Sequence, residues 1–260
     1  MGLLDGKTTL VTGGSSGLGR AMALEFGRQG AHVVVADVRR DPRSGGAPTD
    51  ETIRSEGGSA VYLETDVSRW DDVDRTVGTA LAERGRLDVM VNSAAYLGTF
   101  SKGILETTEN DWDALMSVNF RGVFLCCKRA LMQMTTQEPI AEVRGRIINM
   151  ASQMGFVGTP GHVGYCALKG GIVNMTRQLA VDFGRAGILI NAIAPGKVPT
   201  DPLVEDEGER EPLEYSISRT PFHRLGRPED VAGLAAYLAS DACNYVSGAT
   251  IPVDGGWLAY

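Results

Sequence analysis

Tyr165-Cys166-Ala167-Leu168-Lys169, with Ser152 a short way upstream, brings together a phenol, a cation and a hydroxyl donor. These are the groups that pass a proton between an alcohol and a carbonyl. On a helix, Tyr165 and Lys169 stand one turn apart on the same face, which puts the ammonium under the phenol. Free tyrosine titrates near pH ~10, so readying it to lose a proton at neutral pH takes about 3 units, or roughly 4 kcal/mol. A lysine charge about 4 Å away supplies roughly that much at a partly solvated site, so a depressed phenol is expected. A Tyr–Lys pair standing alone would equally suit a solvated helix face.

It does not stand alone. Thr12-Gly13-Gly14-Ser15-Ser16-Gly17-Leu18-Gly19 follows an apolar run and opens a helical pattern bearing Ala21, Met22, Leu24 and Phe26. Glycines there allow a tight turn and close backbone approach to a pyrophosphate, while a helix N-terminus offers free N–H groups and partial positive charge. Gly13, Ser15, Ser16, Gly17, Leu18 and Gly19 are therefore candidate dinucleotide contacts. Asp37, closing the next apolar run, can accept both hydroxyls of a ribose and would repel a 2′-phosphate, which favours NAD over NADP. Arg39 and Arg40, able to swing back toward such a phosphate, leave NADP open as a second cofactor. Asp66-Val67, after a third run, is placed to cap an adenine edge; read alone, Asp66 would pass as the N-cap of a helix at Trp70–Val77.

The elements that must position these residues alternate strand and helix. Strands are expected at Thr8–Thr12, His32–Asp37, Ala60–Glu64, Asp88–Asn92, Arg146–Ala151, Ile188–Ile193 and Thr250–Val253, each followed by a helical pattern. Val33-Val34-Val35 and Ile147-Ile148 are apolar at consecutive positions, as in a mostly parallel sheet with helices on both faces. The fold class is thus α/β: a single-domain, Rossmann-like, doubly wound, seven-stranded sheet spanning 1–260. After the start signal Asn110-Asp111, the apolar positions Trp112, Leu115, Met116, Val123, Phe124, Cys127, Leu131 and Met134 predict one long amphipathic helix. Asn119 falls inside it, where asparagine has poor propensity and disturbs backbone hydrogen bonding. Asp41–Asp50 reads as a loop and the polar, acid-rich stretch 198–222 as a candidate lid.

Composition narrows the function classes. A net charge of −7 over 260 residues, with no Lys/Arg cluster clear of acids, argues against a nucleic-acid partner. Cys126, Cys127, Cys166 and Cys243 show no metal-ligand spacing, and His162 and His223 are too far apart to suggest a metal site. No signal-peptide pattern opens the chain and no apolar run could span a bilayer, so a cytoplasmic protein without a membrane partner is expected.

Together the motifs resemble the short-chain dehydrogenase/reductase family from Thr12 to Gly256. The glycine loop is similar to its TGxxxGxG pattern. Asn92-Ser93-Ala94-Ala95 stands where the family usually has Asn-Asn-Ala-Gly, and Val118-Asn119 with Gly122 matches its catalytic-asparagine segment. Ser152, Tyr165 and Lys169 match the catalytic serine, tyrosine and lysine. Pro195-Gly196-Lys197-Val198-Pro199-Thr200 resembles its PGxVxT loop, and Arg224–Glu229 and Val253–Gly256 match signatures near the C-terminus. Ser93, Ala95 and Leu168 depart from the pattern without removing a proton-transfer group.

The resemblance implies NAD(P)-dependent oxidation of CH–OH groups, with Tyr165 as acid and base, Ser152 donating to the substrate oxygen, and Lys169 also binding the nicotinamide ribose. It implies that a kink at Asn119 holds a water in a relay to Lys169. It also implies cofactor contacts from Asn92, Ala94, Pro195, Gly196, Val198 and Thr200, the last four around the nicotinamide amide and diphosphate. Tyr96, Gln153, Met154, His162, Lys197 and Phe222 are the substrate-lining candidates it nominates. Their mixed polarity suits a sugar, polyol or small hydroxy acid. A 3-oxoacyl-thioester reductase is the alternative enzyme, and a non-catalytic nucleotide-binding regulatory subunit the alternative of another class. The Trp112–Met134 stripe, with the segment near Trp257 at another contact, leads to the expectation of a homotetramer.

Overall fold

The computed structural model describes residues 2–96, 98, 102–200 and 207–260, the side chains of 207–212 excepted. Seven strands, β1 (Thr8–Thr12), β2 (His32–Asp37), β3 (Ser59–Glu64), β4 (Val89–Asn92), β5 (Gly145–Met150), β6 (Ile188–Pro195) and β7 (Thr250–Val253), form one sheet. Its order is β3-β2-β1-β4-β5-β6-β7, and every neighbouring pair is parallel, so the sheet is wholly rather than mostly parallel. Because β1 and β5 are buried at every position, both faces need a cover. Helices α1 (Gly17–Arg28) and α8 (Pro228–Ala239) cover one face, where Met22, Phe26, Val231 and Ala235 join Val11, Val33 and Val35. On the other, α3 (Trp70–Arg84), α5 (Gly122–Met134) and α6 (Val163–Phe183) place Val77, Cys126, Met134 and Ile172 in one core with Leu10, Met90 and Ile147. Each fully buried Leu, Ile, Met or Phe contributes roughly 1.5–3 kcal/mol.

Several boundaries differ from the sequence expectation. The third strand begins at Ser59, the fifth runs from Gly145 to Met150, and the sixth continues to Pro195. Asp88 stands before its strand, where its carboxylate accepts from Thr8 N (2.8 Å) and Arg86 Nε (2.7 Å). Helix α2 (Thr49–Ser55) begins inside the stretch expected to be loop, and α3 runs past Val77 to Arg84.

The long helix starts earlier than its sequence signal, as α4 (Glu109–Met116), because Thr108 and Asp111 form a reciprocal capping box. A π-turn at Ser117–Arg121 centred on Asn119 joins α4 to α5, the disturbance that an asparagine at this place predicts. Its apolar stripe divides: Leu115, Val123, Cys127, Leu131 and Met134 are core, whereas Trp112 and Phe124 remain exposed, as does Met132 outside the stripe. The acid-rich stretch is not wholly loop, since α7 (Glu207–Arg219) lies within it; residues 201–206 fall outside the described residues.

The strand order reverses between β1 and β4, and ligands of such sheets bind beyond the carboxyl ends at that point. Thr12, Asp37, Asn92, Met150 and Pro195 are the last residues of β1, β2, β4, β5 and β6, so the candidate site residues gather along this edge.

Candidate active site

The glycine loop is shaped by two contacts that only glycine permits. Gly13 has φ +67°, and a Cβ there would lie 2.8 Å from Ala94 Cα. One at Gly19 would lie 2.1 Å from Gly13 O. Thr12 Oγ1 accepts from Ser93 N (3.0 Å) and Ala94 N (3.2 Å), fastening the segment after β4 against the loop. Ser16 is the N-cap of α1, yet its Oγ accepts from Arg43 N (2.9 Å) instead of capping, and the first turn carries no acid. The leading N–H groups of α1 therefore meet no side-chain cap, which suits an anion.

A dinucleotide fits the residues around this loop. Among the described residues, Ser15 Oγ and Asn92 Oδ1 are buried without a hydrogen-bond partner. Asn92, Ala94, Val67, Thr12, Val118 and Gly122 line one crevice. Asp37 holds its carboxylate at the loop, Oδ2 accepting from Ser15 N (3.1 Å) and Oδ1 from Arg39 N (3.3 Å). Arg40 does not swing back toward it: Asp50 (2.7 Å) and Glu51 (3.0 Å) hold its guanidinium, which removes one of the two arginines expected to favour NADP. Asp66 closes a local turn, Oδ1 accepting from Ser68 N (2.9 Å) and Oγ (2.7 Å), while Arg69 takes the N-cap position of α3. Val67 lies close to Gly122, where a Cβ would fall 2.7 Å from Val67 Cγ2.

The loop after β6 completes this half. Gly196 N donates to Val253 O (3.0 Å) and Gly226 N to Lys197 O (3.2 Å), while a Cβ on Gly226 would meet Val198 Cγ2 at 2.7 Å. These ties bring Thr200 to 3.6 Å from the place of a Cβ on Gly17, so Pro195–Thr200 reaches the glycine loop.

On α6, Tyr165 and Lys169 share a face as their spacing requires, with Lys169 Nζ 5.6 Å from the centre of the Tyr165 ring. Ser152, just beyond β5, accepts from Met154 N (3.2 Å) and is hydrogen-bonded to the phenol. With a backbone N–H donating to Oγ, the serine directs its own proton at the phenol, the sense in which this bond opposes the upward shift of Tyr165. The electrostatics correct the expectation of a depressed phenol. Burial pushes Tyr165 above its ordinary value, outweighing the opposing Ser152 hydrogen bond. Lys169, 7% exposed, is itself lowered to about 8 by burial, and its Nζ donates to Met150 O (2.6 Å). A cation under the ring, in surroundings that disfavour both charged forms, does not offset the desolvation of the phenol.

Asn119 is buried and clamps the backbone of Tyr96, Nδ2 donating to Tyr96 O (2.8 Å) and Oδ1 accepting from Tyr96 N (2.6 Å). Its side chain thus holds the segment after β4 at Tyr96, and the π-turn is what leaves it facing that way. Arg121, on the same turn, donates to Ser68 O beside the adenine-end loop. Sequence reasoning did not find the buried chain Asn92–Asn149–Thr176, with Asn92 Nδ2 donating to Asn149 Oδ1 (2.8 Å) and Asn149 Nδ2 to Thr176 Oγ1 (3.0 Å). Its signal was present: Asn149 interrupts an apolar strand, and Thr176 recurs two turns after Lys169.

The substrate candidates are spread around this centre. Gln153 and Met154 adjoin Ser152, and His162 takes the N-cap position of α6 with Nδ1 hydrogen-bonded to Pro160 O (2.7 Å). Tyr96 and Phe222 are exposed, Arg224 standing 5.2 Å over the Phe222 ring, while Lys197 is partly buried in the loop after β6. The end of the lid stretch is pinned within the chain. Arg219 stacks 4.4 Å from the Trp257 ring and donates to Tyr260 O (2.8 Å), and Phe222 N donates to Gly255 O (3.0 Å). Trp257 is buried within the chain beneath Arg219, while Tyr260 at the end of the same segment is exposed. Among the described residues no cluster of His, Cys, Asp and Glu could hold a metal ion, and no helix is long and apolar enough to cross a membrane.

Comparison with known proteins converges on one group. A family model described as enoyl-(acyl carrier protein) reductase matches residues 13–258. The chain is 39% identical to glucose 1-dehydrogenase 2 of Bacillus subtilis, over 99% of this chain and 96% of that one. It is 35% identical to 3-oxoacyl-[acyl-carrier-protein] reductase FabG of Thermotoga maritima, over 97% and 98%. A crystal structure of a short-chain type dehydrogenase/reductase from Mycobacterium marinum superposes with a TM-score of 0.87 at 29% identity, covering 99% of this chain and 97% of that one.

Proposed function

The chain belongs to the short-chain dehydrogenase/reductase family and is an oxidoreductase; on that premise we propose that it interconverts a secondary alcohol, or a sugar or polyol hydroxyl, and its carbonyl, with NAD preferred. The observation carrying this reading is the Ser152–Tyr165 hydrogen bond above a buried lysine one turn along α6. The bound nicotinamide would supply or accept the hydride. Everything else falls to side chains of this chain.

In the reductive direction the Tyr165 phenol gives its proton to the substrate oxygen; in the oxidative direction the phenolate takes it back. Burial keeps the phenol above its ordinary value, so the proton is on Tyr165 before substrate arrives, although the same burial makes it a weaker acid. The Ser152 hydroxyl, which accepts from Met154 N and is bonded to the phenol before substrate arrives, would turn its proton to the substrate oxygen as negative charge grows there. Lys169, anchored on Met150 O, carries the positive charge that offsets a phenolate when one forms. Asn119 fixes the Tyr96 backbone that borders the pocket. Around the cofactor, Gly13, Ser15, Ser16, Gly17, Leu18 and Gly19 would cradle the diphosphate and Asp37 the adenosine ribose. Asp66 and Val67 would border the adenine, and Asn92, Ala94, Pro195, Gly196, Val198 and Thr200 the nicotinamide half.

A second reading has a specific observation in its favour, the similarity to a 3-oxoacyl-thioester reductase. The net charge of −7 opposes docking of an acidic carrier. We further infer a cytoplasmic homotetramer in which Phe124 and Met132 are covered by a partner subunit. Reaction of alcohols, sugars, ketones and 3-oxoacyl thioesters, followed at the nicotinamide absorbance with NAD(H) and NADP(H), tests the assignment. Tyr165→Phe should lower turnover by roughly 10²–10⁴ while leaving NAD affinity nearly intact. Wild-type turnover in Tyr165→Phe, where chemistry limits the rate, would remove the proton-transfer role and leave the pair a structural one.

A further inference from the structure

We propose that Gln153 determines specificity by accepting a hydrogen bond from a hydroxyl on the carbon next to the reacting one, so that this site takes vicinal diols and α-hydroxy carbonyl compounds. The inference rests on the alcohol–carbonyl reading above. Gln153 follows Ser152, whose hydroxyl is bonded to the Tyr165 phenol, so its side chain starts one residue from the group that meets the reacting oxygen. It is 6% exposed, and its Oε1 is buried with no hydrogen-bond partner among the described residues.

The surroundings show why the fold itself leaves that oxygen unpaired. A Cβ built on Gly196 would fall 3.1 Å from Gln153 Oε1 and 2.9 Å from Asp254 Cα, so the amide oxygen rests near two backbone turns, one after β6 and one after β7. Three of their N–H groups are committed elsewhere. Gly196 N donates to Val253 O (3.0 Å), and Gly256 N and Leu258 N donate to the Asp254 carboxylate at 2.9 Å each. The buried amide of Gln137 behaves in the opposite way, accepting from Leu87 N (2.8 Å) and donating to Leu87 O (3.0 Å) and Arg144 O (2.8 Å). Gln137 serves the fold. Gln153 keeps a buried acceptor unsatisfied among the described residues, one residue along from Ser152, where buried polar groups are expected to be satisfied.

An amide oxygen can only accept, so its partner must bring a proton. A ketone, carboxylate or thioester carbonyl brings none, whereas a hydroxyl does. A site with a committed buried acceptor penalises an analogue that lacks the donor, because the acceptor is then desolvated without return. Ser152 and Tyr165 already claim the reacting oxygen. The adjacent residue is therefore matched to the adjacent hydroxyl.

The test uses pairs differing only in that hydroxyl: 3-hydroxy-2-butanone against 2-butanone in reduction, and glucose against 2-deoxyglucose in oxidation, each with NAD(H) and NADP(H). The hydroxylated member of at least one pair should have the higher kcat/KM by at least about tenfold. Gln153→Met should bring that ratio to within about threefold, whereas Gln153→Glu, which keeps an acceptor, should retain most of it. Equal efficiencies in the wild type, or a ratio unchanged in Gln153→Met, would overturn the inference and leave the reaction class standing. If Gln153→Met does not fold, the wild-type ratio and Gln153→Glu decide, loss of preference in Gln153→Glu counting against the proposal. Turnover of none of these compounds, nor of any other alcohol or ketone, would bring down the alcohol–carbonyl reading and this inference with it.

Discussion

Lys169 should make the protein less stable at neutral pH than it would be without that charge. Its side chain titrates near 8 in the folded chain against an ordinary 10.5, because burial strips the ammonium of water and no carboxylate is among the causes that shift it. Below pH 8 both states are protonated, and the folded state bears the full cost, roughly 3 kcal/mol for a shift of that size. Between the folded and unfolded values the unfolded chain binds more protons, so stability rises with pH across that window. Integrated from pH ~7 to ~9.5, the gain is about 2 kcal/mol, a sizeable part of a typical 5–15 kcal/mol total. Lys169→Met removes the ammonium but keeps the length, and gives up the bond to Met150 O, worth about 1 kcal/mol. The variant should therefore be more stable than the wild type by about 2 kcal/mol at pH ~7 and nearly equal at pH ~9.5, though catalytically crippled. Urea unfolding followed by tryptophan fluorescence, without nicotinamide and at one fixed protein concentration, measures both curves. Wild-type and variant stabilities that run parallel over this range, to within about 0.5 kcal/mol, would refute a buried ammonium with a lowered pKa.

Three further outcomes follow from the cofactor half and the surface. With the Asp37 carboxylate held at the glycine loop and Arg40 tied to Asp50 and Glu51, kcat/KM with NAD should exceed that with NADP at least tenfold, about 1.4 kcal/mol. Asp37→Ala should narrow the ratio, and equal wild-type efficiencies would defeat this. Gly13→Ala must place a methyl 2.8 Å from Ala94 Cα at a positive φ, so NAD affinity should fall at least tenfold with the fold retained, read by nicotinamide fluorescence and circular dichroism. Light scattering should give a tetramer; a monomer persisting at working concentrations with full activity would show that Phe124 and Met132 are simply exposed.

What the sequence discloses and what it hides divides along the distance over which each feature is decided. The parallel sheet is readable because a strand covered on both faces must be apolar at consecutive positions, as Val33-Val34-Val35 is. The glycine loop is readable because its demands are local, a turn and a close approach within a few residues. The Tyr165–Lys169 pairing is readable because helical geometry alone puts the two on one face. The direction of the Tyr165 shift was not, since it depends on how much water the fold removes and on where the Lys169 ammonium is anchored, at a carbonyl on β5. The same holds for Arg40, whose fate was settled by Asp50 and Glu51 on α2. Asn119 lies between these cases. Its poor helical propensity announced a disturbance, but only the fold shows that the π-turn aims the amide at the Tyr96 backbone. Local chemistry thus names the groups, and tertiary burial sets the charge state in which they wait. For this site that means a neutral phenol over an ammonium that burial disfavours.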